Sequence, residues 1–346
     1  MTVTRQHPER PCPRAREESR PDSTPSRART IAHPCHQLCN LSRPPPARHY
    51  RHLQPPRASG RAYPNQMPRA LRVPPLRESK QLELTVDGQT FRVVHDVGTG
   101  AGTPLVLMNG IGAKLELLQP LVDRLSPERD IIRFDAPGVG GSATAKNVYR
   151  LKGLAKKVSG ILDQLGFDQA DVLGISWGGA LAQQFAHTQS HRLRRLILVS
   201  TATGAIMVPA HPRILAKMIT HRRYTDPDYL ESVAHELYGG SMRSDPSSAV
   251  NALRTASTSH NSAGYFMQLS AGLGWTSIPF LPRVKAPTLV MSGNDDPLIP
   301  ACNAKIIAKL IPNSELNIFD GGHLSLVTEA DIHGPEVEEF LDRITF

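Results

Sequence analysis

A serine flanked by glycines joins a strand-like apolar run to a helix-like apolar run, and this junction constrains the fold more than any other segment. The run 170–173 precedes the segment Gly174–Gly179 (GISWGG), and the run 180–186 follows it. This order predicts a strand, a sharp turn and a helix. The turn holds the serine backbone in a strained conformation, so its neighbours must be small. The Ser176 hydroxyl is therefore expected at the end of a sheet strand, above the start of a helix.

Short apolar runs alternate with amphipathic segments through the rest of the chain. This alternation is typical of an α/β fold with a mostly parallel eight-stranded sheet and helices on both faces. Residues 205–280 break it, and we predict there a helical lid inserted into a core formed by 81–204 and 281–346. Strands are predicted at 82–86, 90–94, 104–108, 130–134, 170–173, 193–200, 286–292 and 315–319, and helices at 151–165, 180–186, 302–310 and 336–342.

Residues 1–80 differ in composition from the remainder. They contain 16 Lys and Arg against 5 Asp and Glu, and 15 of the 30 prolines, whereas residues 81–346 carry a net charge of −2. Such a segment buries too little apolar surface to offset its ordering entropy, so we predict a disordered tail. Polyanion binding and targeting are alternatives, but we favour a start codon chosen too far upstream, with Met67 as the candidate true start. Nucleic acid is not an expected partner.

Cysteines are sparse, and three of the four, Cys12, Cys35 and Cys39, lie in the predicted tail. Cys302 stands alone in the predicted core, so no disulfide framework is expected there and a reducing compartment fits. The His and Cys residues between 33 and 39 lack a second ligand pair at zinc-finger spacing, so we expect no metal site. No apolar run reaches the roughly 20 residues that span a bilayer.

The junction at Ser176 has the features of a nucleophile elbow, and its chemistry requires two further groups. A serine hydroxyl needs an imidazole to take its proton and an acid to hold that imidazole. After Ser176, one strand runs into Asp295-Asp296 and the next into Asp320-Gly-Gly-His323. Order and position predict a triad of Ser176, Asp296 and His323. Chemistry alone does not separate Asp295 from Asp296, and Asp320 is a weaker candidate because it lies too near His323.

An oxyanion formed at Ser176 needs two backbone N–H donors. The residue after the nucleophile, Trp177, is expected to supply one of them. The loop after the third strand, 109–112, is expected to supply the other, and we assign it to Ile111.

Seven stretches carry a family resemblance. They are 109–113 (NGIGA), 137–142 (PGVGGS), 176–187 (SWGGALAQQFAH), 207–209 (MVP), 238–240 (YGG), 271–277 (AGLGWTS) and 295–300 (DDPLIP). On these residues the chain resembles α/β-hydrolases, and most of all the intracellular depolymerases of medium-chain-length polyhydroxyalkanoates. The resemblance covers roughly residues 104–343 and assigns the acid to Asp296. It implies an α/β-hydrolase fold and ester hydrolysis of a storage polyester on cytoplasmic granules, with no cofactor.

Apolar and aromatic side chains in the predicted lid suit an alkyl-chain substrate. We predict that Met207, Tyr238 and Trp275 bind substrate, Trp275 above all. Three alternatives stay open: a carboxylesterase or lipase acting on small esters, a hydrolase of C–C bonds, and a non-catalytic protein that tethers granules or nucleic acid. Relatives with an aspartate nucleophile are disfavoured because Ser176 occupies that position.

Overall fold

The structure, a computed structural model, describes residues 77–343 apart from 101, 220, 248–250, 252 and 254–261. The His and Cys residues between 33 and 39, Met67 and nearly all of the predicted tail lie outside the described residues. No helix among the described residues combines the length and apolarity needed to cross a bilayer.

One sheet of eight strands forms the centre of the described chain, as predicted. Its order is β1-β2-β4-β3-β5-β6-β7-β8. Strand β2 pairs antiparallel with both β1 and β4, and every other pair is parallel. The strands are β1 (Glu78–Val86), β2 (Gln89–Val97), β3 (Leu105–Met108), β4 (Ile131–Phe134), β5 (Ala170–Ile175), β6 (Leu193–Val199), β7 (Thr288–Gly293) and β8 (Ser314–Phe319).

The first strand begins earlier than predicted. It starts at Glu78 rather than at residue 82, so the predicted tail boundary at residue 80 is too late. Residues 78–81 are exposed and polar, so no alternation of apolar residues predicts a strand there. They form a strand because they pair with β2, from Glu78 opposite Val97 onwards. Just before them, the Arg77 guanidinium donates to the carbonyl oxygens of Leu125 and Ser126.

Helices cover both faces of the sheet, as the alternation predicted. Because side chains alternate along a strand, Leu105 and Leu107 pack in the core of one face, whereas Val106 and Met108 pack in the other. The last helix begins at Ala330, six residues before its predicted start, with Pro335 inside it. The core helices are α1 (Gln119–Val122), α2 (Leu151–Leu165), α3 (Trp177–Thr188), α7 (Cys302–Leu310), α8 (Ser325–Thr328) and α9 (Ala330–Asp342).

A helical insertion lies between β6 and β7, where residues 205–280 were predicted to leave the alternation. Its described helices are α4 (Pro212–Ile219), α5 (Pro227–Tyr238) and α6 (Ser262–Gly272), with 3-10 turns at His221–Tyr224 and Gly240–Arg243. Helix α5 begins where Asp226 accepts a hydrogen bond from the Tyr229 amide. Helix α6 contacts the loop after β4 at a pair of glycines, since a Cβ on Gly264 would overlap the Gly138 carbonyl. The role of the insertion as a lid stays a prediction.

The position of β1 generates a test with two shortened chains. A chain starting at Arg77 should melt at the same temperature as the full chain, because the composition of residues 1–76 offers no face that packs in a core. A chain starting at Gln81 should melt about 2–6 °C lower, since it loses Arg77 and three strand pairs. Differential scanning calorimetry measures both. Equal melting temperatures of the two shortened chains would contradict the contribution assigned to residues 77–80.

Candidate active site

The backbone of Ser176 is strained, as the flanking glycines predicted. Ser176 lies between β5 and α3 with φ 55° and ψ −119°, a left-handed region that L-residues seldom adopt. Its amide donates to the Val199 carbonyl at 2.9 Å. A Cβ on Gly174 would overlap the Gly178 carbonyl, and one on Gly178 would overlap the Met108 carbonyl. The turn therefore needs glycine at both positions, and it sets the serine at the carboxyl end of the central strand.

His323 and Asp296 form a buried pair. The Nδ1 of His323 lies 2.7 Å from Asp296 Oδ2, and the two residues are 3% and 5% exposed. The other carboxylate oxygen, Oδ1, accepts hydrogen bonds from the amides of Leu298 and Ile299 at 2.9 and 2.8 Å. These bonds fix the carboxylate plane, so Oδ2 is aimed at the imidazole. With the ring proton on Nδ1, this N–H donates a hydrogen bond to Asp296 Oδ2, which leaves Nε2 of His323 as the accepting nitrogen.

Asp295 and Asp320 point elsewhere. The Asp295 carboxylate pairs with the Arg243 guanidinium at 2.6 and 2.7 Å and accepts from the Gly240 amide at 2.8 Å. The hydrogen bond from Arg243 lowers the pKa of Asp295. Asp320 is exposed at the surface. The contact with His323 thus separates two adjacent aspartates that the chemistry of the chain left equivalent.

The insertion packs directly on the histidine loop. The Tyr238 ring stacks on the His323 ring with centroids 6.3 Å apart, and the His323 amide donates to the Tyr238 carbonyl at 2.7 Å. A Cβ on Gly239 would overlap the Asp295 carbonyl, and one on Gly240 would overlap the Gly322 amide. Burial raises the pKa of the Tyr238 phenol, which therefore stays neutral.

The loop after β3 is held beside Ser176. The Asn109 side chain accepts a hydrogen bond from the Gly110 amide at 3.0 Å and donates to the Lys114 carbonyl. The Gly112 amide donates to Gln268 Oε1 at 2.7 Å. A Cβ on Gly110 would lie 3.7 Å from the Ser176 Cβ. Side-chain oxygens thus accept hydrogen bonds from the backbone amides on either side of Ile111.

The two predicted oxyanion donors are unoccupied. Within the described part of the chain, neither the Ile111 amide nor the Trp177 amide donates to an acceptor. The Trp177 amide opens helix α3, where the helix dipole favours negative charge. The Trp177 indole has a separate contact, because its Nε1 donates to the Gln268 carbonyl at 2.9 Å. The roles of both amides remain a prediction.

A cavity joins these elements. The core contributes nine residues to its wall and the insertion five, so Ser176 and His323 line a space bounded on one side by the insertion. The lining residues are Gly110, Ile111, Ala113, Leu117, Ile175, Ser176, Leu298, His323 and Leu324 from the core, and Met218, Arg223, Tyr224, Tyr238 and Leu253 from the insertion.

Of the three predicted substrate-binding residues, only Tyr238 lines this cavity. Trp275 packs against Gly204 and Phe280, and its indole donates to Gln184 Oε1 at 2.8 Å. Its contacts fasten the end of the insertion to helix α3, and the substrate contact of Trp275 stays a prediction. Met207 is half-buried in the loop after β6 and is also absent from the cavity wall.

Sequence reasoning missed Gln268, Arg223 and Tyr224. Gln268 is buried and holds both the Ile111 loop and Trp177. The Tyr224 hydroxyl donates to the Ile111 carbonyl, and Arg223 lines the cavity beside it. These residues belong to the insertion, and no motif or spacing distinguishes them from their neighbours there. Arg223, for example, follows the exposed Arg222 in the sequence.

Two further features of the described residues bear on the site. A wide surface hollow is lined by 102–104, 166–169, 191 and 192, at the amino ends of the parallel strands and away from Ser176. No group of three or more His, Cys, Asp or Glu with metal-binding geometry occurs in the described ranges.

Comparisons with known proteins agree with this architecture. The family model of the alpha/beta hydrolase fold matches residues 103–330. The poly(3-hydroxyalkanoate) depolymerase of Ectopseudomonas oleovorans is 46% identical over 258 residues, which cover 75% of this chain and 91% of that protein. The 3-oxoadipate enol-lactonase 2 of Acinetobacter baylyi is 25% identical over 69% of this chain and 88% of that protein. The resemblance predicted from the sequence is therefore confirmed.

Solved structures show the same fold. An enol-lactonase from Burkholderia xenovorans LB400 superposes with a TM-score of 0.66 at 24% identity, over 76% of this chain and all of that one. A hydrolase from Pseudomonas aeruginosa PA01 superposes with a TM-score of 0.65 at 25% identity, over 76% of this chain and 98% of that one.

The two adjacent aspartates provide a matched test. Asp296→Asn should lower turnover about 10⁴-fold, because an amide at this position favours the wrong imidazole tautomer. Asp295→Asn removes the same charge one residue away and should change turnover far less, since Asp295 contacts Arg243. Turnover of a soluble p-nitrophenyl ester by the two purified variants measures the difference. Similar losses in both would contradict the assignment of Asp296.

Proposed function

Because the chain belongs to the α/β-hydrolase family, we propose that it hydrolyses the ester bonds of a medium-chain-length polyhydroxyalkanoate through Ser176, His323 and Asp296. The observation that carries the proposal is the buried His323–Asp296 pair, whose histidine lines the same cavity as the strained Ser176. The relative at 46% identity is a poly(3-hydroxyalkanoate) depolymerase, which supports this class of substrate. The granule surface of that polyester, in the cytoplasm, is the proposed place of action.

The first half of the reaction acylates Ser176. His323 Nε2 takes the hydroxyl proton as Ser176 Oγ attacks the ester carbonyl, and Asp296 stabilises the imidazolium through Nδ1. The Ile111 and Trp177 amides donate to the carbonyl oxygen as it becomes negative. The bond to the ester oxygen then breaks, and His323 returns its proton to the departing alkoxide.

The second half releases the acyl group. Water takes the place of the departed alcohol, and His323 removes its proton as it attacks the acyl-enzyme carbonyl. The same two amides stabilise the second oxyanion, and the proton passes to Ser176 when the C–Oγ bond breaks. Each cycle consumes one water and yields one carboxylic acid and one alcohol, so these residues complete the chemistry without a cofactor.

Exposed apolar side chains on the insertion support contact with a water-insoluble substrate. Phe266, Leu269 and Leu273 follow helical spacing of three and four residues, so they share one face of α6 and its end. They are 49%, 38% and 76% exposed, and Ile206 and Leu215 of the same insertion are also exposed. A contiguous exposed apolar patch is typical of an interaction surface. We therefore assign adsorption on the polyester to this face.

Removal of the nucleophile tests the chemistry. Ser176→Ala should lower ester turnover by about a millionfold. It should leave the melting temperature near that of the wild type, since it removes only the hydroxyl. Loss of turbidity of a medium-chain polyester suspension measures activity on polymer. A fluorophosphonate should label Ser176 in the wild type, and peptide mapping locates the adduct. An adduct on another serine would contradict the mechanism, and an unchanged suspension would contradict the substrate.

A double substitution tests the apolar face of α6. Phe266→Ser with Leu273→Ser should weaken adsorption on polymer by roughly tenfold per side chain, because each removes about 1.4 kcal/mol of apolar burial. Hydrolysis of a soluble short-chain ester should stay unchanged. Ile332→Ser is the matched control, since Ile332 is 68% exposed on helix α9 of the core. Equal losses on polymer in the control and the double variant would contradict the assigned surface.

A further inference from the structure

The insertion buries a positive charge in the cavity, and no carboxylate among the described residues pairs with it. Arg223 is 2% exposed and lines the same cavity as Ser176 and His323. Its Nη1 contacts the Met218 sulfur, a weak acceptor, and its Nη2 lies 3.4 Å from the Tyr224 hydroxyl. Its Nε has no hydrogen-bond partner. The guanidinium has five donors, so most of its hydrogen-bonding capacity is unused among the described residues.

Aromatic rings supply the remaining contacts of this guanidinium. Its central carbon lies 4.7 Å from the Tyr224 ring centroid and 5.5 Å from that of Tyr265. Such contacts stabilise a cation, but they leave the in-plane N–H donors free. The parts of the insertion outside the described residues (220, 248–250, 252 and 254–261) contain no Asp or Glu. These positions of the insertion therefore contain no acidic residue that could form an ion pair with Arg223.

A buried charge without a partner opposes folding, and arginine does not escape the cost by losing its proton. An anionic ligand removes this cost by pairing with the planar donor fork, for which a carboxylate has the matching geometry. The unpaired guanidinium is thus typical of a ligand-binding group.

Contacts through Tyr224 connect Arg223 to the loop that carries the proposed oxyanion donor. Arg223 contacts the Tyr224 hydroxyl, and this hydroxyl donates to the carbonyl oxygen of Ile111. The amide of the same Ile111 is the proposed oxyanion donor. One phenol therefore links the guanidinium to the oxyanion loop. In a polyester of 3-hydroxy acids, the last ester oxygen is separated from the terminal carboxylate by only two carbons. A chain end can therefore reach both groups at once.

We propose that Arg223 binds the free carboxylate at the end of a polyester chain, so that cleavage removes the terminal 3-hydroxy acid. This inference rests on the proposed function. Ser176 Oγ bonds to the carbonyl carbon of the penultimate unit, and the C–O bond to the terminal unit breaks. His323 delivers the proton to the alkoxide of the released 3-hydroxy acid. Water then hydrolyses the acyl-enzyme, which exposes a new terminal carboxylate on the shortened chain.

The test uses a linear dimer of 3-hydroxyoctanoic acid and its methyl ester. Wild-type protein should prefer the free acid in kcat/KM by roughly 10- to 100-fold, because a charge-assisted pair forms only with the carboxylate. Arg223→Met should abolish this preference, and Arg223→Lys should keep part of it. Arg222→Met is the matched control and should keep the full preference, since Arg222 is exposed and pairs with Asp226.

Stability separates a binding role from a packing role. If Arg223 serves the ligand, Arg223→Met should melt at or above the wild-type temperature, because it replaces an unpaired buried charge with an apolar side chain. A lower melting temperature together with an unchanged preference would overturn the inference. So would a wild-type preference near one, a result that needs no variant and is independent of whether any variant folds.

The polymer assay distinguishes this inference from the proposed function. Hydrolysis of the polymer combined with no preference for the free acid would overturn the role of Arg223 alone. An intact polymer combined with the full preference, lost in Arg223→Met, would overturn the polymer substrate and uphold a carboxylate site. Isothermal titration calorimetry measures the affinity of the Ser176→Ala variant for 3-hydroxyoctanoate. Introducing Arg223→Met into that variant should weaken this affinity at least tenfold.

Discussion

The strained backbone of Ser176 is the constraint on which the other elements of the site depend. A left-handed conformation at a non-glycine residue costs of order 1–3 kcal/mol, and it persists only where the surroundings hold it. Here the Val199 carbonyl accepts a hydrogen bond from the Ser176 amide, and the Thr201 hydroxyl donates to the Ser176 carbonyl at 2.7 Å. Glycines at 174 and 178 let neighbouring backbones approach closely enough to maintain the turn. The core thus supports a conformation that presents one hydroxyl to the cavity.

Two adjacent carboxylates near His323 make different contacts. One oxygen of Asp296 accepts hydrogen bonds from backbone amides, and the other contacts the imidazole. The orientation of the carboxylate therefore does not depend on solvent. Asp295 points outward and binds Arg243 and the Gly240 amide of the insertion. Asp296 therefore contacts the histidine, while the preceding Asp295 contacts the insertion.

The insertion also contacts several elements of the candidate site. Tyr238 stacks on His323, Gln268 occupies the Gly112 amide, and Tyr224 holds the Ile111 carbonyl. Close backbone contacts, such as that of Gly264 with Gly138, keep the insertion and the core in one arrangement. The insertion also sets the buried Arg223 in the cavity wall. The proposed catalytic residues therefore belong to the core, and selectivity is expected from the insertion.

The sequence alone determined the fold, the elbow and the positions of His323 and the paired aspartates, because these depend on local periodicity and on glycines at fixed offsets. It did not separate Asp295 from Asp296 by chemistry, since the two differ only in direction. It also missed the start of β1, where polar residues form a strand only because β2 pairs with them. Tertiary structure alone turned Trp275 toward Gln184 and set Arg223, instead of the adjacent Arg222, in the cavity wall. These outcomes depend on contacts between segments distant in sequence, and no local pattern records such contacts.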